Sequence, residues 1–204
     1  PILVVGGIYG GLFSAVEASV IAVAYALLLE VVIFRKVSVK DLGGLALSSG
    51  MITAVVFILV AIGAAFSHTL GTAGIPEKLL GPAIESIGQN QVAALALIAV
   101  AFFIGCMFVD PIVVILILVP IFKPLIESAN LDPIHVGVIV TLQAAIGSAT
   151  PPFGCDIFTA IAVFRRPYLE VIRGTPPFIF MLLIATFVLI LFPQLSLWLP
   201  GLGG

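Results

Sequence analysis

The residues whose types and spacing could do chemistry gather in one stretch, Ile146–Gly154, which reads IGSATPPFG. Proline lacks an amide proton and clashes with the preceding turn. A residue before proline avoids the α region. In Thr150-Pro151-Pro152 two successive residues precede a proline, so a continuous helix here is improbable. Apolar runs flank the stretch, VGVIVTLQAA before it and DIFTAIAVF after it. Together they are long enough to cross a bilayer, and neither is alone. The break leaves the last carbonyls of the first half-helix, near Gly147, and the first N–H groups of the second, near Phe153–Cys155, without helical partners. Opposed half-helix ends can hold a cation on carbonyls and an anion on N–H groups. A proline kink with no ligand is the competing reading. Asp156 falls in the first turn of the second half-helix, where the dipole favours an anion. Gln143, one turn before the break, could donate or accept inside a site.

A second candidate is Asp110, in Gly105-Cys106-Met107-Phe108-Val109-Asp110-Pro111. A carboxylate at mid-membrane costs about 2.5–3.5 kcal/mol on insertion scales. Asp110-Pro111 also fits an N-cap followed by proline at the first helical position, and Asp132-Pro133 and Thr175-Pro176 repeat that pattern. A cap and an ion ligand are both open for Asp110. Ser14 and Glu17 fit a capping box. Lys123 and Glu127 are i,i+4 neighbours. His68 and His135 lie near span ends, have no metal partner at helical spacing, and read as ordinary interfacial histidines. Cys106 and Cys155 sit in apolar surroundings and read as free core thiols. No serine–histidine pair, phosphate loop or paired intramembrane aspartates stand out, so an enzyme is not expected.

The elements that must position these residues follow from composition. The chain has 204 residues, 62% apolar and 9% charged, where a soluble domain carries about 25% charged residues. That is too little charge to cover a water-facing surface, so an all-α polytopic membrane protein is expected. A net charge of −2 gives no sign of a nucleic-acid partner. The start, PILVVGGIYG, has no initiator Met and no charged n-region, and reads as part of a longer polypeptide. One span runs from residue 14 to Phe34, a second over 43–70, and Ser38–Asp41 can cap the second. Within residues 71–90, Ile75-Pro76-Glu77-Lys78 opens a short helix that suits the interface, with Leu79, Leu80, Ile84 and Ile87 on one side. Two apolar arms, 92–109 and 112–126, precede the broken segment 134–164, and a last span covers 178–192. Trp198 reads as an interfacial anchor. The clusters Arg35, Lys36, Lys40 and Arg165, Arg166, Arg173 would be cytoplasmic and the C-terminus periplasmic. Charge parity allows the two arms to be full crossings or a re-entrant hairpin. The tip carries no Lys or Arg, which favours a tip buried at mid-depth.

The chain resembles the C-terminal half of the large membrane subunit of tripartite ATP-independent periplasmic (TRAP) transporters. The matching stretches are GGIYGGLFSAVEASVIAVAYALL (6–28), GCMFVDPIVVILILVPIFKPLIE (105–127), LDPIHVGVIVTLQAAIGSATPPFG (131–154) and PQLSLWLP (193–200). The D-P-x-H-x-G (132–137) and T-P-P-x-G (150–154) elements are specific at this spacing. One departure is clear: where the family typically has F-T-P-T-E-A, this chain has Phe13-Ser14-Ala15-Val16-Glu17-Ala18, without the proline.

The resemblance implies one half of an inverted-repeat, elevator-type transporter in a bacterial inner membrane, importing an organic acid such as a C4-dicarboxylate or a sialic acid with sodium. Residues 1–90 would be scaffold and connecting helices plus the interfacial helix. Residues 91–174 would be transport-domain, with a re-entrant hairpin at 91–129 and the broken helix at 134–164. Residues 175–204 would be the final span and anchor. Sodium ions would be the only coupling ions, with no other cofactor, bound between the hairpin tip (Gly105, Cys106, Asp110) and the break (Gly147, Thr150, Pro151). Substrate would lie near Ser148, Pro152, Gly154 and Gln143. Implied partners are a small four-helix membrane subunit, a periplasmic binding protein, the N-terminal half of the same subunit and the bilayer. A stand-alone sodium-coupled anion carrier or antiporter of the wider ion-transporter group is the alternative, and a channel or non-transporting scaffold a third reading.

Overall fold

The computed structural model describes residues 2–38 and 40–201, and within them every regular element is a helix. Val39, inside the expected Ser38–Asp41 cap, lies outside the described residues, as do Pro1 and residues 202–204. Among the described residues four helices are long and apolar enough to cross a membrane: Ala15–Ile33, Leu42–Thr72, Gln91–Phe108 and Pro111–Ser128. The protein is an all-α polytopic membrane protein.

The chain divides into two compact units, with the boundary between Phe57 and Ile58. In the first, α1 (Ile2–Tyr9) ends at Gly10-Gly11, and Gly11 takes the left-handed conformation (φ 69°) that glycine adopts without strain. Next comes α2 (Ala15–Leu27). Its capping box forms as the sequence predicts: the Glu17 carboxylate accepts from the Ser14 N–H (2.8 Å), and Ser14 Oγ accepts from the Glu17 N–H (3.3 Å). The missing family proline is therefore not needed to start this helix. A π-helical stretch, Leu28–Ile33, continues α2 to the end of the span, which the apolar pattern alone did not signal. α3 (Leu42–Thr72) begins in this unit and carries the chain across the boundary.

The second unit holds the core. α4 (Ile75–Ile87) buries Leu80 in the hydrophobic cluster, packs Ile84 and Ile87 against it and runs along α6, while Leu79 on the expected apolar side stays exposed. α5 (Gln91–Phe108) and α6 (Pro111–Ser128) form an antiparallel hairpin joined by Val109-Asp110. The Gln91 amide donates to the Asn130 carbonyl (3.1 Å) at its open end. The Phe102 and Phe122 rings meet at 6.1 Å between the arms, and Gly105 lets Val114 approach near the tip. Each arm of 18 residues is roughly 27 Å long.

α7 (Pro133–Ser148) runs against α5, with Val136, Ile139, Val140 and Ala144 on the cluster beside Leu95, Ile98 and Phe102. Asp132 caps it, Oδ1 accepting from the N–H of Ile134 (2.8 Å) and His135 (3.2 Å). After the break come α8 (Cys155–Phe164) and α9 (Tyr168–Arg173), then α10 (Pro176–Leu191) and α11 (Gln194–Gly201), the last two packed against α7. Thr175 departs from the expected capping pattern. Its backbone is helical, no side-chain cap forms, and its hydroxyl donates to the Ile172 carbonyl (2.9 Å), closing α9 instead of opening α10.

The C-terminal ends of α5 and α7 meet in a tight seam. A Cβ at Gly147 would stand 2.6 Å from Cys106 Cβ and 2.8 Å from the Phe103 carbonyl oxygen. Both are anchored to α5 and cannot swing aside. Gly147→Ala is expected to destabilise the protein by about 1–3 kcal/mol. Gly137→Ala on the same helix, where nothing lies within 4 Å, should be neutral or stabilising by about 0.5–1 kcal/mol. Thermal unfolding of the purified membrane protein compares the two.

Candidate functional site

The broken segment falls where the prolines require it, between Ser148 and Cys155, and the Pro151-Pro152 bond is cis. A helix C-terminus leaves four carbonyls without intrahelical donors. Here the chain supplies donors from the break itself. Thr150 Oγ1 donates to the Ile146 carbonyl (2.6 Å) and the Thr150 N–H to the Gly147 carbonyl (3.0 Å). The Gly154 N–H then reaches back to the Thr150 carbonyl (3.2 Å), and Tyr168 Oη donates to the Pro152 carbonyl (3.0 Å). The Gly147 carbonyl, expected to be free, thus accepts from the Thr150 N–H and also faces the cap N–H of Ala149. Thr150 gives its only proton to Ile146 and keeps its own lone pairs.

Gly154 is required by close approach. A Cβ there would run into the Ser148 carbonyl and stand 2.8 Å from the Thr150 carbonyl oxygen. That approach brings the two half-helices together, and Ser148 Oγ donates to Asp156 Oδ2 at 2.6 Å. The Ala145 carbonyl at 3.0 Å competes for the same proton, and the carboxylate is the stronger acceptor. Asp156 is the residue that sequence reasoning left out of the ion site. Its position in the first turn of α8 was legible, but its link to Ser148 required the fold of the break.

The hairpin tip meets the break. Cys106 is buried against Gly147, and the Phe108 and Phe153 rings lie 5.8 Å apart. Asp110 follows Phe108 by two residues and Asp156 accepts from Ser148, so both carboxylates belong to the segments that meet. Gly105, Cys106, Gly147, Thr150 and Gly154 are therefore brought to one place, with Pro151 and Pro152 in the loop between the half-helices. Two expectations change, for the tip and for Gln143, while Asp110 takes one of the two readings open for it. Asp110 is exposed and acts as the N-cap of α6, Oδ1 accepting from the Ile112 N–H (2.9 Å). Phe108 and Val109 are also exposed, although the Phe153 ring lies beside Phe108. Gln143 does not serve the break: its amide donates to Thr186 Oγ1 of α10 (2.7 Å), in a buried pair.

The electrostatics favour a cation. The C-terminal carbonyl end of α7 carries partial negative charge, and Asp156 and Asp110 stand nearby. Neither 91–122 nor 124–164 contains a Lys or Arg. Among the described residues no group of three or more His, Cys, Asp or Glu is placed to hold a metal ion. The available ligands are hydroxyl, carbonyl and carboxylate oxygens, the set that hard monovalent and divalent cations take.

Thr150→Val should destabilise by about 1–3 kcal/mol, since the buried Ile146 carbonyl loses its donor, while Thr150→Ser should retain most of the stability. Denaturation midpoints of the two variants check this.

Comparison with known proteins agrees with this architecture. Residues 1–195 match the family model of the tripartite ATP-independent periplasmic transporter, DctM component. The chain is 58% identical over 206 residues to the ectoine TRAP transporter large permease protein TeaC of Halomonas elongata, covering 100% of this chain and 47% of that protein. It is 59% identical over 203 residues to the ectoine/5-hydroxyectoine TRAP transporter large permease protein UehC of Ruegeria pomeroyi, again 100% and 47%. To the C4-dicarboxylate TRAP transporter large permease protein DctM of Pseudomonas aeruginosa it is 31% identical, over 98% of this chain and 47% of that protein. The chain spans about half the length of these relatives. With its apolar spans and this match, it is a multi-pass inner-membrane protein, and it belongs to the DctM-component family of TRAP transporter large permeases.

Proposed function

We propose that this chain is the C-terminal half of a permease that imports an organic solute together with sodium. The observation that carries the reading is the meeting of hairpin tip and break. It gathers the oxygens of Gly147, Ser148, Thr150 and Asp156 beside Gly105, Cys106 and Asp110, in a region without basic side chains. Sodium binds there to the spare lone pairs of the Thr150 hydroxyl and to the Asp156 carboxylate, beside the Gly147 carbonyl, with Asp110 adding field from the tip. Gly105, Cys106 and Pro151 contribute through backbone. The substrate carboxylate faces the N-terminal end of α8 near Ser148, Pro152 and Gly154, where N–H groups point outward. Each sodium ion moving inward releases about 2.3 kcal/mol per 100 mV of membrane potential.

In this mechanism the hairpin and broken helix move together against the rest of the subunit, as an elevator. Their shared seam of α5 on α7 is consistent with one moving body. The hairpin is re-entrant rather than a pair of crossings, its tip without Lys or Arg closing on the break. The N-terminal half of the subunit supplies the matching half-site. A small membrane subunit and a periplasmic binding protein complete the system, and the C-terminus is periplasmic. The cargo is of the ectoine class: relatives named for ectoine are 58–59% identical over the whole chain, against 31% for one named for C4-dicarboxylates.

The test uses the complete permease, reconstituted in vesicles with both partners. Uptake of ectoine, but not of succinate or a sialic acid, should depend on a sodium gradient. Asp156→Asn should weaken apparent sodium affinity about 10- to 100-fold, the scale of an interaction worth about 1.5–3 kcal/mol. Uptake that ignores sodium in the unaltered protein would refute the coupling. Unchanged sodium affinity in Asp156→Asn and Thr150→Val would refute the site.

A further inference from the structure

His135 is not the interfacial histidine that its position near a span end suggested. It is 3% exposed, and its Nδ1 is hydrogen-bonded to Ser196 Oγ of α11. Ser196 also donates to the Pro193 carbonyl (2.9 Å). A serine hydroxyl has one proton. Since that proton goes to Pro193, the contact with His135 is closed by Nδ1–H donating to Ser196 Oγ. The resulting chain, His135 Nδ1–H to Ser196 Oγ–H to the Pro193 carbonyl, ends on the corner between α10 and α11. His135 Nε2 is buried without a partner among the described residues. An unsatisfied buried nitrogen costs free energy that a phenylalanine of similar volume would avoid. A ring kept at that cost is there for its other nitrogen.

The two ends of this contact lie in sequence elements that the break and hairpin do not use. One is D-P-x-H-x-G at 132–137, where Asp132 caps α7 and so fixes the position of the third helical residue, His135. The other is PQLSLWLP at 193–200, which turns the chain after α10 and carries the exposed Trp198. We propose that His135 is a positioning residue. Its Nδ1–H fixes the α10–α11 corner to the start of the broken helix, so that the opposite end of that helix, the break, keeps its register against the hairpin. The consequence for transport rests on the function proposed above, and the contact itself does not.

Four variants of the complete permease in lipid nanodiscs separate the possibilities. Asn places an amide nitrogen where Nδ1 stands, and Gln places one near Nε2. Amide hydrogen exchange over residues 193–198 should rise about tenfold in His135→Gln, His135→Phe and Ser196→Ala, and His135→Asn should restore protection. Ser196→Ala leaves the buried ring in place, so a folding failure at position 135 does not decide the test. In vesicles, the same three variants should raise the sodium concentration for half-maximal uptake, with rescue again by His135→Asn. Normal protection in Ser196→Ala, or protection restored by Phe or Gln rather than Asn, would overturn the proposal. If the unaltered protein shows no sodium dependence, the transport reading fails while the exchange result still decides the role of His135.

Discussion

A backbone break inside an apolar phase is tolerated only if its polar groups find partners within the protein. In this chain that constraint organises everything around the break. The Ile146 carbonyl takes the Thr150 hydroxyl, the Gly147 carbonyl the Thr150 N–H, the Thr150 carbonyl the Gly154 N–H, and the Pro152 carbonyl the Tyr168 hydroxyl. Each pairing demands a residue type: a hydroxyl at 150, no Cβ at 154, a phenol on α9. The prolines make the break, and these residues make it affordable to the fold. What remains after self-pairing is a set of spare oxygen lone pairs, and those are what a cation could use.

The same constraint explains the hairpin's position. Glycine at 147 lets α5 press its last turns onto the end of α7, which shields the break from lipid on that side. The Phe108 and Phe153 rings, both largely exposed, meet beside the loop. On the function proposed above, the cation ligands lie on one element and the hairpin on another, which would link ligand occupancy to hairpin closure. Polar contacts farther along α7, through Gln143 and His135, bind α10 and α11 rather than the break. One helix thus divides its polar side chains between a site at its C-terminal end and anchoring contacts along its length.

Much of this was legible in the chain. Apolar run lengths set the spans, Pro and Gly placed the break between 148 and 155, and Asp-Pro pairs marked the starts of α6 and α7. These are local signals, governed by backbone sterics and by the lack of water in lipid. The capping box at Ser14 and Glu17 was readable for the same reason, since its partners lie three residues apart. Thr175 was misread because a hydroxyl before a proline can serve the helix behind it as well as the one ahead.

The amino-acid sequence by itself determined that the protein crosses a membrane, where its capped spans begin, and which helix is interrupted. It also pointed to the two stretches that face each other. Only the tertiary structure decided what each polar side chain does there. Ser148 could be paired with Asp156 only once the loop had folded back, Gln143 assigned to Thr186 only once α10 had packed, and His135 to Ser196 only once α11 had turned. The physical reason is range. Proline, glycine and caps act within a turn or two of backbone, whereas a buried hydroxyl, amide or imidazole takes its partner from whatever distant segment packing brings within about 3 Å.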